Sequence, residues 1–346
     1  MSIQKLKVGI AGYGIVGKRR RHYIDLHEML TTVAVCDQKF NAIESTEDGV
    51  RAYKNYEDML ECEKLDILFV CLPNYLASIA TISGLKKGLH VFCEKPPGRN
   101  LEDIATVIRT HSEFSNQKLM YGFNHRYHDS VREALKVVRS NEMGRVLNLR
   151  GVYGKSVMVN FENDWRTQRS VSGGGILLDQ GIHMLDLMRL FAGEFEDFKS
   201  FISNDYWGHD VEDNAYAIMR TKSGVVGMLH SSATQWRHRF HLEIALEEGT
   251  INLSGILSGT KSYGAETITI SRRGMSDKGD PKETTIRYNE DNSWKDEIWD
   301  FTDSILSGKH IEVGSAADAF KTMELVYKIY CADESWKSKY QLSDKI

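Results

Sequence analysis

Two short stretches hold residues that could move a proton. The first is Ser172-Gly173-Gly174-Gly175-Ile176-Leu177-Leu178-Asp179-Gln180-Gly181-Ile182-His183-Met184-Leu185-Asp186, three glycines followed by an apolar helical pattern. At ~100° per residue, Asp179, His183 and Asp186 fall within one narrow helix face. An acid and an imidazole one turn apart can abut, and the acid then orients and charges the ring. Imidazole titrates near neutrality and can take a proton from an alcohol. The same set could hold a metal, and a polar helix face satisfied by its neighbours would look alike. Proton transfer without a metal is the reading adopted. The glycines leave room for another backbone or a ligand. The second stretch is Cys93-Glu94-Lys95-Pro96-Pro97. Lys95 at a strand end can donate to a substrate oxygen and help move its proton. Glu94 could hold the lysine or a ribose. A surface ion pair beside a turn is the plain alternative.

These groups need a redox partner and a scaffold, and the N-terminus suggests both. Val8 to Ala11 reads as a buried strand, and Gly12-Tyr13-Gly14-Ile15-Val16-Gly17 spells G-x-G-x-x-G directly after it. In such a loop the first glycine makes the turn, the second lets backbone approach a pyrophosphate, and the third lets the next helix pack closely. The helix N-terminus offers unpaired N–H groups to the phosphates. Thr32–Cys36 reads as a second strand ending at Asp37, ~20 residues past the glycines, where an acid bonds the ribose hydroxyls of NAD. Asp37 would repel the extra phosphate of NADP, so NAD is favoured. Arg19, Arg20, Arg21 and Lys39 lie nearby and could only solvate the helix or pair with acids.

Strand and helix alternate through the first third. Helices are expected at Gly14–Leu26, Tyr75–Lys87 and Leu101–Ser115, and strands at Leu65–Val70, His90–Cys93 and Leu119–Tyr121. That alternation implies a parallel sheet covered on both faces, with ligands beyond the strands' carboxyl ends. Three of the four prolines, Pro73, Pro96 and Pro97, sit just past strand ends on that side. From about Arg145 the period becomes two. Strands are expected at Val146–Tyr153, Phe198–Ile202, Ala215–Arg220, Val225–Ala233, Phe240–Ala245, Thr250–Leu253, Thr267–Ser271 and Glu283–Tyr288. They imply a mainly antiparallel sheet open on one face. Helices are expected at Gly175–Phe191, Trp294–Ser307 and Ser315–Lys337. The fold class is therefore α/β: a Rossmann dinucleotide-binding domain over 1–125, then an α+β domain with a large antiparallel sheet over 126–346.

Composition narrows the partners. A net charge of −4 over 346 residues gives no basic surface for nucleic acid or anionic membrane. No apolar run approaches the ~20 residues of a membrane span. The five cysteines are odd in number and scattered. They read as reduced thiols in a cytoplasmic protein.

Further polar clusters would shape a substrate pocket. Asn124, His125, Arg126, Tyr127 and His128 follow a strand end, and Asn124 and Arg126 could bind sugar hydroxyls or a carboxylate. Trp165 beside Arg166, with Asp164, suits a sugar face plus an anionic group. The turn from Trp236 to His241 reads as a loop or interface, and Arg272–Lys282 as an exposed loop. Specificity is expected in loops such as Asn160–Ser172 and Trp207–Asp213.

The chain resembles the Gfo/Idh/MocA oxidoreductases. The matching residues are Gly12-x-Gly14-x-x-Gly17, Pro73-Asn74, Glu94-Lys95-Pro96, Asn124-x-Arg126, and Gly174-Gly175 followed by Asp179-x-Gly181-x-His183-x-x-Asp186. The resemblance implies a catalytic Lys95, His183 as acid/base, and Asp179 assisting it or binding substrate. It also implies a cofactor cleft lined by Leu72, Pro73 and Asn74, a cis peptide before Pro96, and a homo-oligomer joined through the open sheet face. Many members carry a histidine three residues after the Pro-Asn asparagine; here Ala77 stands there. The implied reaction is hydride transfer between NAD and a secondary alcohol of a sugar, cyclitol or nucleotide-linked sugar. Lys95 and His183 must then converge at the ring that carries the electrons. Two rivals remain: a glycosidase or epimerase that retains its NAD without net redox, and a non-catalytic NAD sensor.

Overall fold

The computed structural model of the protein describes residues 4–41, 44–46, 48–157, 164–274 and 278–346. They form two compact units: residues up to Phe123 with Trp294–Lys321, and Asn124–Ser293 with Thr322 onward. The segment Trp294–Lys321 thus belongs to the first unit, where a single cut at 125/126 would have put it in the second.

The first unit is built on a seven-stranded sheet in the order β3-β4-β2-β1-β5-β6-β7. Its strands are β1 (Leu6–Ala11), β2 (Leu30–Cys36), β3 (Glu44–Ser45), β4 (Arg51–Tyr53), β5 (Ile67–Val70), β6 (His90–Glu94) and β7 (Leu119–Gly122). All pairings are parallel except that of β3 with β4. Central strands of such a sheet are apolar on both faces, because helices cover both. In β5 all four residues, Ile67, Leu68, Phe69 and Val70, are fully buried. Helices α1 (Ile15–Leu26), α3 (Asn74–Lys86) and α4 (Leu101–Glu113) fall where expected, within two residues. Helix α2 (Tyr56–Cys62) and strands β3 and β4 were not foreseen. They are too short for periodicity to reveal; α2 is marked by Asn55, whose side chain accepts from the Asp58 N–H as an N-cap.

The second unit carries an eight-stranded sheet. Its strands are β8 (Val146–Gly154), β9 (Phe195–Ser203), β10 (Asn214–Thr221), β11 (Val226–Ser232), β12 (Arg239–Leu246), β13 (Gly249–Ser254), β14 (Glu266–Arg272) and β15 (Lys282–Tyr288). Their order is β15-β14-β13-β12-β8-β11-β10-β9. Only the β8–β11 pairing is parallel. In β10, Ala215, Ala217 and Met219 point into the core, while Tyr216 and Ile218 alternate outward with Phe201 and Met228 of neighbouring strands exposed. One face is therefore open, as the period of two implies. The other is covered by α7 (Ile182–Ala192), which lies close because β8 offers Gly151: a Cβ there would come 2.8 Å from Met184.

Two helical expectations need correction, and one further helix was not foreseen. The helix expected from Gly175 begins as a π-helical turn, Leu177–Gly181, before α7 continues as α-helix. The helix expected over Ser315–Lys337 is two, α9 (Ala316–Ala332) and α10 (Glu334–Tyr340), broken at Asp333. Asp333 caps α10 by accepting from the Trp336 N–H, and a side chain committed to a cap interrupts the helix before it. Helix α5 (Asp129–Ser140), ended by Asn141 in the left-handed region at φ 57°, was not foreseen. The loop expected over Asn160–Ser172 ends in the short helix α6 (Arg169–Ser172), and residues 158–163 and 275–277 lie outside the described residues.

Candidate active site

In the first unit the expected cofactor residues gather at the carboxyl ends of adjacent strands. Gly12 follows β1 with φ +94°, and a Cβ there would lie 2.4 Å from the Cys71 carbonyl at the end of β5. Only glycine fits so tight a turn with left-handed φ. A Cβ at Gly17 would meet the Gly12 carbonyl at 2.0 Å, so the start of α1 rests on the loop itself. Around Gly14 nothing lies within 4 Å of a Cβ position. Gly14 caps α1 without a side-chain hydrogen bond, and no acidic residue stands in the first turn. Open space thus meets a bare, partly positive helix N-terminus, which is what a pyrophosphate requires.

Tyr13, Ile15 and Val16 complete the loop, with Ile15 83% exposed. Leu72 and Pro73 follow β5, Pro73 capping α3, whose first residue Asn74 is buried. Ala77, at the departure from the family pattern, is buried in α3. Asp37 ends β2 and faces Lys39 Nζ at 3.4 Å. The arginines are committed to partners other than Asp37. Arg21 donates to the Tyr13 hydroxyl at 2.8 Å and pairs with Asp25 and Asp48. Arg19 lies over the Trp294 ring.

Arg20 is fully buried between the rings of Phe92 and Trp294. Its Nε donates to Glu94 at 2.7 Å, and its Nη2 lies 2.7 Å from Glu297 of α8 (Ser293–Ser307) without hydrogen-bond alignment. One guanidinium therefore lies between two carboxyl groups. Burial alone would depress Arg20, but Glu94 and Glu297 more than offset it. Burial pushes the Glu297 carboxyl up to about 8 against the pull of Arg20. Neither Arg20 nor Glu297 was foreseen as part of the Glu94 environment, since nothing in the spacing links residues 20, 94 and 297. The Lys95–Pro96 peptide is cis.

In the second unit the glycines before the helix make room for backbone. A Cβ at Gly175 would meet the Glu212 carbonyl at 2.1 Å. Buried Glu212 accepts from Gly175 N at 2.8 Å, Leu177 N at 3.0 Å and the Tyr330 hydroxyl at 2.6 Å. A carboxylate thus satisfies the helix start. Because Leu177–Gly181 is π-helical, the ~100° step used to align Asp179 with His183 does not hold there. Asp179 Oδ2 accepts from Lys155 Nζ at 3.2 Å, and its Oδ1 lies 3.7 Å from Arg166 Nε. Arg166 stacks over Trp165 at 4.3 Å and is also held by Asp164. His183 is buried, its ring lying on that of His125. Arg126 meets Asp186 through two hydrogen bonds, Nε at 2.7 Å and Nη2 at 2.5 Å. Asp186 also accepts from Thr322 at 3.1 Å. That carboxylate occupies the fork of Arg126. Asn124 is buried and donates to Ser293.

Lys155, Gln180, Tyr153 and Tyr263 join this group without having been foreseen. Gln180 donates to the Tyr263 hydroxyl at 2.6 Å, and Tyr263 packs edge-on against Tyr153 at 5.4 Å. Burial pushes Tyr263 up to about 12 and Tyr153 well above the usual phenol range. A Lys just past a central strand was the available signal for Lys155. Among the described residues, no cluster of three or more His, Cys, Asp or Glu could hold a metal ion, and no helix is long and apolar enough to cross a membrane. The five cysteines are free thiols.

A glycine-turned pyrophosphate cradle on a parallel sheet, followed by a unit with a buried imidazole and a held carboxylate, defines a dinucleotide-binding oxidoreductase. Residues 6–123 match the model of an oxidoreductase family with an NAD-binding Rossmann fold, and residues 131–252 match a GFO/IDH/MocA C-terminal domain. The chain belongs to the Gfo/Idh/MocA family. It is 24% identical over 266 residues to levoglucosan dehydrogenase of Pseudarthrobacter phenanthrenivorans, covering 66% of this chain and 68% of that protein. It is 30% identical over 204 residues to D-glucoside 3-dehydrogenase of Escherichia coli, covering 56% of each. A levoglucosan dehydrogenase structure with NADH and levoglucosan superposes with a TM-score of 0.82 at 20% identity, covering 96% of this chain and 98% of that one, which establishes the shared fold.

Proposed function

We propose that the protein is an NAD-dependent dehydrogenase that oxidises a secondary alcohol of a neutral sugar or cyclitol. The observation that carries this reading is the charge pattern around Asp179. Lys155 and Arg166, which flank it, are each matched to a carboxylate. Arg126 is matched to Asp186 and Arg169 to Glu212. These four cations, each paired, offer donors and acceptors to hydroxyl groups rather than a free positive charge to a phosphate. This favours an uncharged sugar over a nucleotide-linked one. Two relatives named for levoglucosan and a D-glucoside fit that class.

The cradle at Gly12–Gly17 and the acid Asp37 fit NAD, which when bound supplies the acceptor for the substrate's hydride. His183 would take the hydroxyl proton as the C–H bond breaks. Lys95 would donate to the same oxygen, and Asp179 would hold a neighbouring hydroxyl. Glu94, fixed by Arg20, would orient the lysine or the nicotinamide ribose. The domain read at 1–125 would hold the dinucleotide, and the one read at 126–346 the substrate and the contact between copies. The exposed apolar residues Phe201, Tyr216, Ile218 and Met228 would form the contact between copies.

The test is a panel of neutral sugars, cyclitols and nucleotide-linked sugars, levoglucosan and methyl α-D-glucoside among them, followed at the NADH absorbance. Lys95→Ala and His183→Ala should each lower turnover by about 10²- to 10⁴-fold, the usual contribution of a positioned acid or base. Full turnover in either variant would refute the assignment. Product without net NADH would instead mark a redox-neutral glycosidase or epimerase. NAD binding with no turnover across the panel would mark a sensor.

A further inference from the structure

The rings of His125 and His183 lie face to face, centroids 3.8 Å apart and planes at 13°. Both residues are buried. We propose that His125 is the positioning residue for His183: it fixes the plane of that ring and itself stays neutral, so that His183 is the imidazole of the pair that takes the proton. The inference rests on the reading of His183 as proton acceptor.

A chain of hydrogen bonds defines the tautomer of His125. Asp291 Oδ1 accepts the Ser293 hydroxyl at 2.6 Å. With its hydrogen committed, Ser293 Oγ accepts Asn124 Nδ2 at 3.0 Å. The amide is thereby oriented with its oxygen 3.2 Å from His125 Nδ1. A carbonyl oxygen only accepts, so Nδ1 carries hydrogen. On the other side, Nε2 lies 3.1 Å from the Tyr153 hydroxyl. Burial keeps that phenol protonated, so its O–H can donate and Nε2 accept. Both ring nitrogens are satisfied in the neutral form.

Stacking then makes the pair exclusive. Two imidazolium rings in contact, with little water between them, repel strongly, so the pair holds at most one proton near neutrality. Helix α7 packs on β8, β11, the π-helical turn and the short helix Asn124–Tyr127. The other charged groups there are matched: Arg126 with Asp186, and Asp179 between Lys155 and Arg166. Beside His125, His128 is bonded to Glu266 at 2.8 Å. On β11, His230 is bonded to Asn214 and pushed down by burial. His125 is thus the neighbour that holds the ring of His183 by its face.

The test is an NMR titration of the full chain carrying ¹⁵N- and ¹³C-labelled histidine, with His125→Phe and His183→Asn used for assignment. His125 should keep the signature of a neutral Nδ1–H ring between about pH 5.5 and 8, while His183 titrates. Titration of His125 in that range, or of both rings together, would overturn the proposal. In turnover of levoglucosan or methyl α-D-glucoside, His125→Ala should lower kcat about 10- to 100-fold with KM within about threefold. His125→Phe keeps a flat face against His183 and should recover to within about fivefold of the parent. An unchanged kcat and pH profile in His125→Ala would also overturn it. Retained turnover in His183→Ala would remove the underlying reading instead, while the titration would still decide the tautomer of His125.

Discussion

Replacing Glu297 by glutamine should make the protein progressively more stable than the parent as pH rises. In the folded chain burial holds the Glu297 carboxyl at about 8, against an ordinary value of 4.5. Below 4.5 the group is protonated in folded and unfolded chains alike and contributes no pH dependence. Between 4.5 and about 8 the unfolded chain releases the proton and the folded chain keeps it, so stability falls as pH rises. The slope is about 1.4 kcal/mol per pH unit. The loss is about 3 kcal/mol at pH 7 and levels off near 5 kcal/mol once the folded carboxyl ionises beside Arg20. Glutamine mimics the neutral acid and has no such slope. The assay is urea unfolding of parent and Glu297→Gln in steps from pH 5 to 9, read as the difference between them. That difference should stay within about 1 kcal/mol at pH 5 and grow to several by pH 8. A difference that is flat with pH would mean that Glu297 is ionised throughout and forms an ordinary ion pair with Arg20, and the reasoning would fail.

Two further expectations follow from the same kind of accounting. Glu212→Ala strands the Gly175 and Leu177 N–H groups and the Tyr330 hydroxyl, and leaves Arg169 without its carboxylate. Chemical denaturation should show a loss of about 3–5 kcal/mol, and a loss under 1 kcal/mol would deny Glu212 its role as the helix cap. Asp37→Ser removes the carboxylate that would accept from the cofactor ribose. The kcat/KM ratio for NAD over NADP should fall about 10- to 100-fold, the worth of hydrogen bonds to a charged group. An unchanged ratio would move cofactor discrimination to Lys39 or the loop at Tyr13.

Legibility in the sequence followed sequence distance. The glycine loop, Asp37 and the two sheets could be read because each depends on neighbours within a few residues: a turn, a strand end, a period of two. Short elements such as α2 fell below the length at which periodicity speaks, and the unforeseen α5 was missed although its C-terminal Asn141 adopts the left-handed conformation typical of a helix end. The helix at Asp179 was located correctly but not its π-helical start. Nothing in the types of Leu177-Leu178-Asp179-Gln180-Gly181 marks the wider turn, whose two ends meet Glu212 and Ser231 from distant segments.

By itself, the order of residues determined what could be local: which backbone positions must be glycine, where strands end, and which side chains have the chemistry for proton transfer. Tertiary structure decided which groups keep company. Arg20 is joined to Glu94 and Glu297, Arg126 to Asp186, Lys155 to Asp179, and His125 to His183. Most of these partners are dozens to hundreds of positions apart, and local propensity carries no information about them. What selects the charged pairs is the cost of burying a charge alone, a cost that only the folded chain incurs.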